Sequence, residues 1–400
     1  VHTTLVECEE LFARPGIYGP PGGEYRDNAR RFTLLSRAVC EYAARAQTPP
    51  DVLHVHDWHT ALVPLFARYA VFFRRRPATV LTLHNVGYQG RFGAEEADWL
   101  SLGGAALREV LRPEGIEDHG GINLLKAGVA YADRITTVSP TYGREILTPE
   151  GGFGLDALLL RRSADLVGIL NGADYDTWSP SSDPHLPRPF GPASLEGKAA
   201  ARRALHESFH LAPSERPLLG VVGRLVHQKG IDVLAGAIPR LVEAGADLVV
   251  LGSGERSIVE VLERACADHS GRVALRVGYD ERLSHLLVAG CDLVLVPSRY
   301  EPCGLVQMHA MRYGTIPVVH RTGGLADTVR DEGESPGAGT GFVFSGLTVE
   351  NVARSVGRAL ALRRDAPDAW RALQLRAMAQ DFSWGLAARR YVDLYRGIGR

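Results

Sequence analysis

Throughout the chain, short apolar runs rich in Val, Leu and Ile alternate with longer segments of helical, amphipathic spacing. Runs of that length, flanked by Gly, Pro or Asp, read as strands of parallel sheets whose faces are both covered. The candidate strands of the first half are 3–7, 52–56, 79–83, 134–138 and 166–170. Those of the second half are 218–222, 247–251, 273–277, 292–296 and 316–319. Between them, Ile231, Leu234, Ile238 and Leu241 mark one helical face, which Pro239 is expected to kink. Strand–helix alternation over the whole length argues for an α/β chain with parallel sheets.

At 400 residues the chain exceeds one compact core, domains running to roughly 100–200 residues. Pro180, Pro184, Pro187, Pro189 and Pro192, with Ser, Asp and Gly between them, read as an irregular linker. A second α/β unit then opens with the helical pattern from Ser194. Lys+Arg 45 against Asp+Glu 46 excludes a broad electrostatic grip on nucleic acid or anionic membrane, though not a local basic pocket. No apolar stretch reaches the ~20 residues that span a bilayer. The five cysteines are scattered without CxxC spacing, which argues against a disulfide scaffold or zinc module and fits a reducing cytoplasm. Only three cations are lysines, Lys126, Lys198 and Lys229, so each invites the question of what needs a compact point charge rather than a planar fork.

Ligands of open α/β sheets bind beyond the carboxyl ends of the strands. After 218–222 come Arg224 and Lys229 on a loop that enters a helix at Gly230, which suits an anion or is a solvated basic loop. After 316–319 come Thr322, Gly323 and Gly324, which let backbone N–H groups approach a phosphate or form a tight turn. After 292–296 comes Glu301, just before Cys303, Gly304 and Leu305, where a helix should begin. Such a carboxylate can bind sugar hydroxyls, or merely complement the helix dipole.

In the first half, His54, His56, Asp57, Trp58 and His59 follow a strand. An HxHxDH hydrolase pattern is not met, because Asp57 stands one place early and Trp58 fills its slot. Alternation sends His54 and His56 to the same side of the strand, a poor start for chelation without other ligands. His84, Asn85, Tyr88 and Gln89 follow the next strand, and Asn171 with Trp178 follows the last, combinations that suit a polyhydroxylated ligand or ordinary turns. Two α/β domains, a cationic anion site and carbohydrate-type polar residues together suggest a sugar–phosphate transferase.

The strings HVHDWHTAL (54–62), TLHNVGYQG (82–90), LLKAGVAYAD (124–133), TTVSPTYGREI (136–146), ILNGADYDTWSP (169–180), GRLVHQKGID (223–232), VPSRYEPCGLVQMHAMRYGTIPVV (296–319), RTGGLADTV (321–329) and DFSW (381–384) occur in this order. The series resembles bacterial glycogen synthase and plant starch synthase, retaining glucosyltransferases that use ADP-glucose. The resemblance implies a GT-B fold, two Rossmann-like domains with parallel sheets facing across a cleft. It places the acceptor-side domain at 1–190, the donor domain at 191–380 and a C-terminal helix, 381–400, that crosses back to the first domain. It implies transfer of glucose to the 4-hydroxyl of a non-reducing α-1,4-glucan end, with retention, no metal and no cofactor.

By the same resemblance Glu301 contacts the donor glucose, while Arg224 and Lys229 neutralise the departing diphosphate. The backbone at Gly304–Leu305 and at Thr322, Gly323 and Gly324 adds hydrogen bonds, and Cys303 lies in the same donor loop. His84 sits over the sugar. Asp57 and Asn171 hold hydroxyls, Trp58 lies toward the acceptor, and Asn85, Tyr88 and Gln89 belong to the same substrate-binding string. Tyr279 stacks on adenine. His309 stands where many GT-B transferases carry a second glutamate. A phosphorylase is disfavoured for want of a Schiff-base lysine. The family's Lys-Thr-Gly-Gly-Leu loop has no counterpart here, and residues 1–12 resemble a segment well inside its first domain. A portion of about 80 residues, half a typical domain, is therefore expected to be absent, with a damaged first sheet and weak or no synthase activity. The alternatives are an impaired glucan- or nucleotide-sugar-binding remnant and another GT-B transferase.

Overall fold

The computed structural model describes residues 2–20, 23–69 and 72–398. The chain divides into two compact units, Val1–Ile169 with Arg389–Arg400, and Leu170–Ala388. All described helices fall short of the length and apolarity needed to cross a membrane.

The strands of the first unit are β1 Val52–His56, β2 Ala78–Leu83, β3 Arg91–Gly93, β4 Glu117–Asp118, β5 Gly121–Asn123, β6 Arg134–Thr137 and β7 Leu166–Gly168. Four of them form a parallel sheet in the order β1-β2-β6-β7, and β3-β5-β4 make a small antiparallel one. In β2 nearly every side chain is buried, as expected for a strand covered on both faces. Helix Asn28–Arg45 packs on helix Leu62–Tyr69, which packs on helix Leu124–Tyr131. The strand expected at 3–7 does not form. Those residues are mostly exposed, with Leu5 at 87%, and pair with no sheet; the first regular element is the helix Glu9–Phe12.

The second unit carries β8 Leu218–Val222, β9 Asp247–Gly252, β10 Val273–Val277, β11 Leu293–Val296, β12 Ile316–His320 and β13 Phe342–Phe344. They form one parallel sheet in the order β10-β9-β8-β11-β12-β13. Counted within the unit this is 3-2-1-4-5-6, the doubly wound Rossmann order. Apart from the edge strand β10, whose last two residues are exposed, the strands are buried on both faces, and alternation divides them between two cores. Leu219, Val221, Leu248, Val250, Leu293 and Leu295 join one, and Leu218, Val249, Leu251 and Val294 join the other. The helix Ile231–Glu243 presents Ile231, Leu234, Ile238 and Leu241 to the first core and runs through Pro239 without interruption.

The proline-rich segment is not a free linker. Leu186 and Phe190 belong to the second core, and Asp183 is fully buried between His285 and Tyr313. The division therefore falls before this segment, at Ile169, because the segment buries apolar side chains on the second unit. At the other end, the helix Trp384–Ile398 belongs to the second unit up to Ala388 and to the first from Arg389.

Candidate active site

In a doubly wound sheet the strand order reverses at one place, and a crevice opens outside the carboxyl ends of the two strands there. In the second unit those strands are β8 and β11. The loop leaving β8 carries Arg224 and Lys229; the loop leaving β11 carries Ser298, Glu301, Cys303 and Gly304. Lys229 Nζ lies 2.5 Å from Glu301 Oε2, and Ser298 Oγ donates to the same oxygen at 2.7 Å. Glu301 is only 5% exposed, so its charge depends on these partners. The loops are tied further by Arg299, which donates to His227 O and grips Asp232 with both terminal nitrogens, and by Gln228, which donates to Tyr300 O. Arg224 is exposed and donates to Gln228 Oε1 at 3.0 Å.

The paired glycines act here through their lack of a side chain. A Cβ on Gly323, which has φ 42°, would stand 2.0 Å from Glu301 O, and one on Gly324 would stand 2.1 Å from Cys303 O. The loop holding Glu301 is thus pressed directly onto the start of helix Gly323–Thr328. The backbone donors expected there are partly committed: Gly324 N–H donates to Glu301 O and Thr322 N–H to His320 O. Close approach, which needs glycine, accounts for more of this segment than open N–H groups do.

Gly304 has φ 70° and leads through Leu305, 40% exposed, into helix Val306–Arg312. Cys303 is buried, its thiol pushed up to about 12 by burial despite a hydrogen bond from the Asn171 backbone. Asn171 therefore lies against the Glu301 loop, within the second unit. Tyr279 stands on the loop after β10, 84% exposed. Trp178 is not an open platform: its ring is stacked between His285, 3.7 Å away, and His309, 4.1 Å away. Burial first, then the nearby His285, holds the His309 imidazole down to about 4.

In the first unit the loops after β1 and β2 meet. Asp57 has φ 53°, a left-handed conformation that aspartate and asparagine enter more readily than other side chains, and its carboxylate meets the next loop. Its Oδ1 accepts the His84 N–H at 2.7 Å, and the Asn85 N–H also bonds to this carboxylate. Burial nevertheless pushes Asp57 up to about 6. Asp57 is placed as a clamp on the 84–85 turn rather than as a bare group for sugar hydroxyls. His84 Nε2 lies 3.0 Å from His56 Nδ1, while His54 bonds Thr82 and Tyr395 at 2.6 Å each. Burial lowers all three imidazoles, His54 to about 4, which favours their neutral forms.

Trp58 and Gln89 face inward. Trp58 is 6% exposed, edge-on to Phe32 at 4.7 Å and beneath Gly90, where a Cβ would come 2.4 Å from the indole. Gln89 donates to Val86 O and Phe153 O and accepts from Asn123. Asn85 Oδ1 accepts the Gly87 N–H, closing a turn that presents Tyr88 half-exposed. Trp58 and Tyr88, with Gly87, Arg91 and Phe153, line a cavity of about 320 Å³. Ser298, Gln228 and Tyr142, whose hydroxyl accepts the Val86 N–H, are positioning residues absent from the sequence reading. Their only signal was membership of the same strings.

Residues 1–161 match the family model described as the starch synthase catalytic domain, and residues 203–372 match glycosyl transferases group 1. A glycogen synthase of Alkalilimnicola ehrlichii is 48% identical over 99% of this chain and 82% of its own length. Glycogen synthase 1 of Rhizobium meliloti is 44% identical over 100% of this chain and 83% of its own. The catalytic domain of starch synthase IV from Arabidopsis thaliana, solved bound to ADP and acarbose, superposes with a TM-score of 0.87 at 38% identity, covering 94% of this chain and 79% of that one. A sucrose-phosphate synthase of Thermosynechococcus elongatus shares the fold at 21% identity and a TM-score of 0.62, covering 97% of this chain and 82% of that one. The chain belongs to the glycogen and starch synthase family of GT-B glycosyltransferases.

Proposed function

We propose that this chain transfers glucose from ADP-glucose to the 4-hydroxyl at a non-reducing end of an α-1,4-glucan, with retention of configuration. The observation that carries the reading is the Lys229–Glu301 pair at the switch point of the second unit. A buried carboxylate can accept donor-sugar hydroxyls, while an ammonium beside it and the exposed Arg224 meet a diphosphate whose charge grows as its bond to the sugar breaks. Charge placed where charge develops is usually the largest catalytic term. Support for ADP comes from the Arabidopsis relative, whose structure holds that nucleotide. Tyr279 is exposed enough to stack on a purine.

The bonds from Lys229 and Ser298 both fall on Glu301 Oε2, so Oε1 is the oxygen assigned to the sugar. His84 and Asn85 in the first unit, held by Asp57, are assigned to hydroxyls, and Tyr88 to the glucan. Asn171, Cys303, Gly304 and Leu305 shape the donor side. Attack on the face from which ADP departs retains configuration with no carboxylate nucleophile. The reading is tested with ADP-glucose and UDP-glucose in parallel against a glucan primer. Preference for ADP-glucose, lost with Tyr279→Ala, supports the nucleotide assignment; equal use of both donors overturns it.

A further inference from the structure

Helix Glu281–Gly290 sets Glu281 and His285 four residues apart, on one face. The His285 side chain is 1% exposed, and its Nδ1 lies 2.7 Å from Asp183 Oδ2. The same carboxylate oxygen takes the Tyr313 hydroxyl at 2.5 Å. A carboxylate accepting from Nδ1–H fixes the tautomer and leaves the lone pair on Nε2. That Nε2 is buried and has no hydrogen-bond partner. The ring is also held by Trp178, stacked 3.7 Å away at 12°. An immobilised, buried acceptor without a donor needs an explanation.

His185 supplies one. It sits in the proline-rich segment with its ring 4.7 Å from that of His285. His185, Glu281 and His285 each offer a ligand atom, and these atoms lie within 4.8 Å of one another. His285 is rigid, His185 half-buried and Glu281 exposed, so the two outer side chains are able to close on an ion at the ~2.0–2.2 Å that zinc takes with nitrogen and oxygen. Two imidazoles and a carboxylate, backed by a second carboxylate on the buried imidazole, form a donor set suited to zinc-class ions rather than to Mg²⁺ or Ca²⁺.

We propose that His185, Glu281 and His285 form a binding site for a divalent ion of the zinc class, with Asp183 orienting His285 from outside the ligand shell. The ion would staple the segment after Pro180 to the helix Glu281–Gly290, and none of its ligands is assigned to glucosyl transfer.

The test uses the full chain, stripped with chelator and titrated with Zn²⁺ by calorimetry, with Co²⁺ absorption reporting coordination. The expected result is one ion per chain and a raised thermal midpoint. Glu281→Gln and His185→Ala each should weaken binding by about tenfold or more, and both should alter the Co²⁺ spectrum. His285→Ala removes a core side chain and risks misfolding, so the two outer variants carry the test. The proposal is overturned if the wild type binds no Zn²⁺ up to about 1 mM. It is equally overturned if a chain carrying both outer substitutions binds Zn²⁺ as tightly as wild type, which would place the ion elsewhere.

Discussion

Lys229 Nζ and Glu301 Oε2 are 2.5 Å apart, and this ion pair joins the loop leaving β8 to the loop leaving β11, beside the bonds made by Arg299 and Gln228. The two residues lie far apart in sequence and meet because the sheet reverses its strand order between those strands. Removing the ammonium takes away the charge proposed to meet the diphosphate and leaves a buried carboxylate with Ser298 alone. Lys229→Ala is expected to lower kcat about 100–1,000-fold. Lys229→Arg should not restore it, because a planar fork replaces a compact point charge in a tight corner. Steady-state kinetics on ADP-glucose decide this; near-wild-type turnover in the arginine variant would contradict the reading.

Gly324→Ala tests the close packing beneath Glu301. Its Cβ would meet Cys303 O at 2.1 Å, and backbone on both sides leaves little room to yield. Overpacking of this kind costs about 1–3 kcal/mol, and the shift it forces would move Glu301. Lower stability in a denaturant titration, together with loss of ADP-glucose turnover, is expected. A fully active and equally stable variant would show that the contact is not needed.

Asp57 gives a pH dependence whose sign can be worked out. Burial raises its pKa from 3.8 to about 6, so the fold favours the protonated form. Its contribution to stability is therefore present below about pH 4 and declines as pH rises through about 6. The ionised form is the better acceptor for the His84 and Asn85 N–H groups. Turnover should thus fall on the acid side of about pH 6 without a matching loss of stability from this group. Asp57→Asn, which tolerates the left-handed backbone, should be slower and lack that acid limb. An identical pH profile in the variant would assign the limb elsewhere.

Lys198 answers the question raised by the scarcity of lysine. Its ammonium donates to Ala289 O at 2.7 Å, Cys291 O at 3.1 Å, Tyr313 O at 3.2 Å and Thr315 Oγ1 at 2.6 Å. Three carbonyls and a hydroxyl converging on one point suit a compact ammonium better than a flat guanidinium. Lys198→Met strands buried acceptors and should cost about 3 kcal/mol or more. Urea unfolding would show it, and an unchanged midpoint would remove the structural role.

The sheets were legible because most of their strands are short runs rich in Val, Leu and Ile, bounded by turn residues. β1, β8 and β10 run over the residues expected, while β13 and the antiparallel β3, β4 and β5 were missed. Those are three residues or fewer, too short for a period to show. The expected strand at 3–7 failed for the opposite reason: its composition fits a strand, but strand formation needs a neighbour to pair with. Within the candidate site, the strings located the loops but not the direction of each side chain. Trp58 and Gln89 read as ligand groups by type; both line the cavity beside Tyr88, while the Trp58 ring also fills the space under Gly90 and the Gln89 amide also satisfies buried carbonyls. Trp178 likewise proved to be stacked between two histidines brought in from distant helices.

The central claim is tested most directly by incorporation of labelled glucose from ADP-glucose into glycogen, with Glu301→Gln alongside the wild-type chain. The account predicts incorporation that falls at least about 100-fold in the variant, with the variant folded by circular dichroism. Incorporation that does not depend on Glu301 would contradict it.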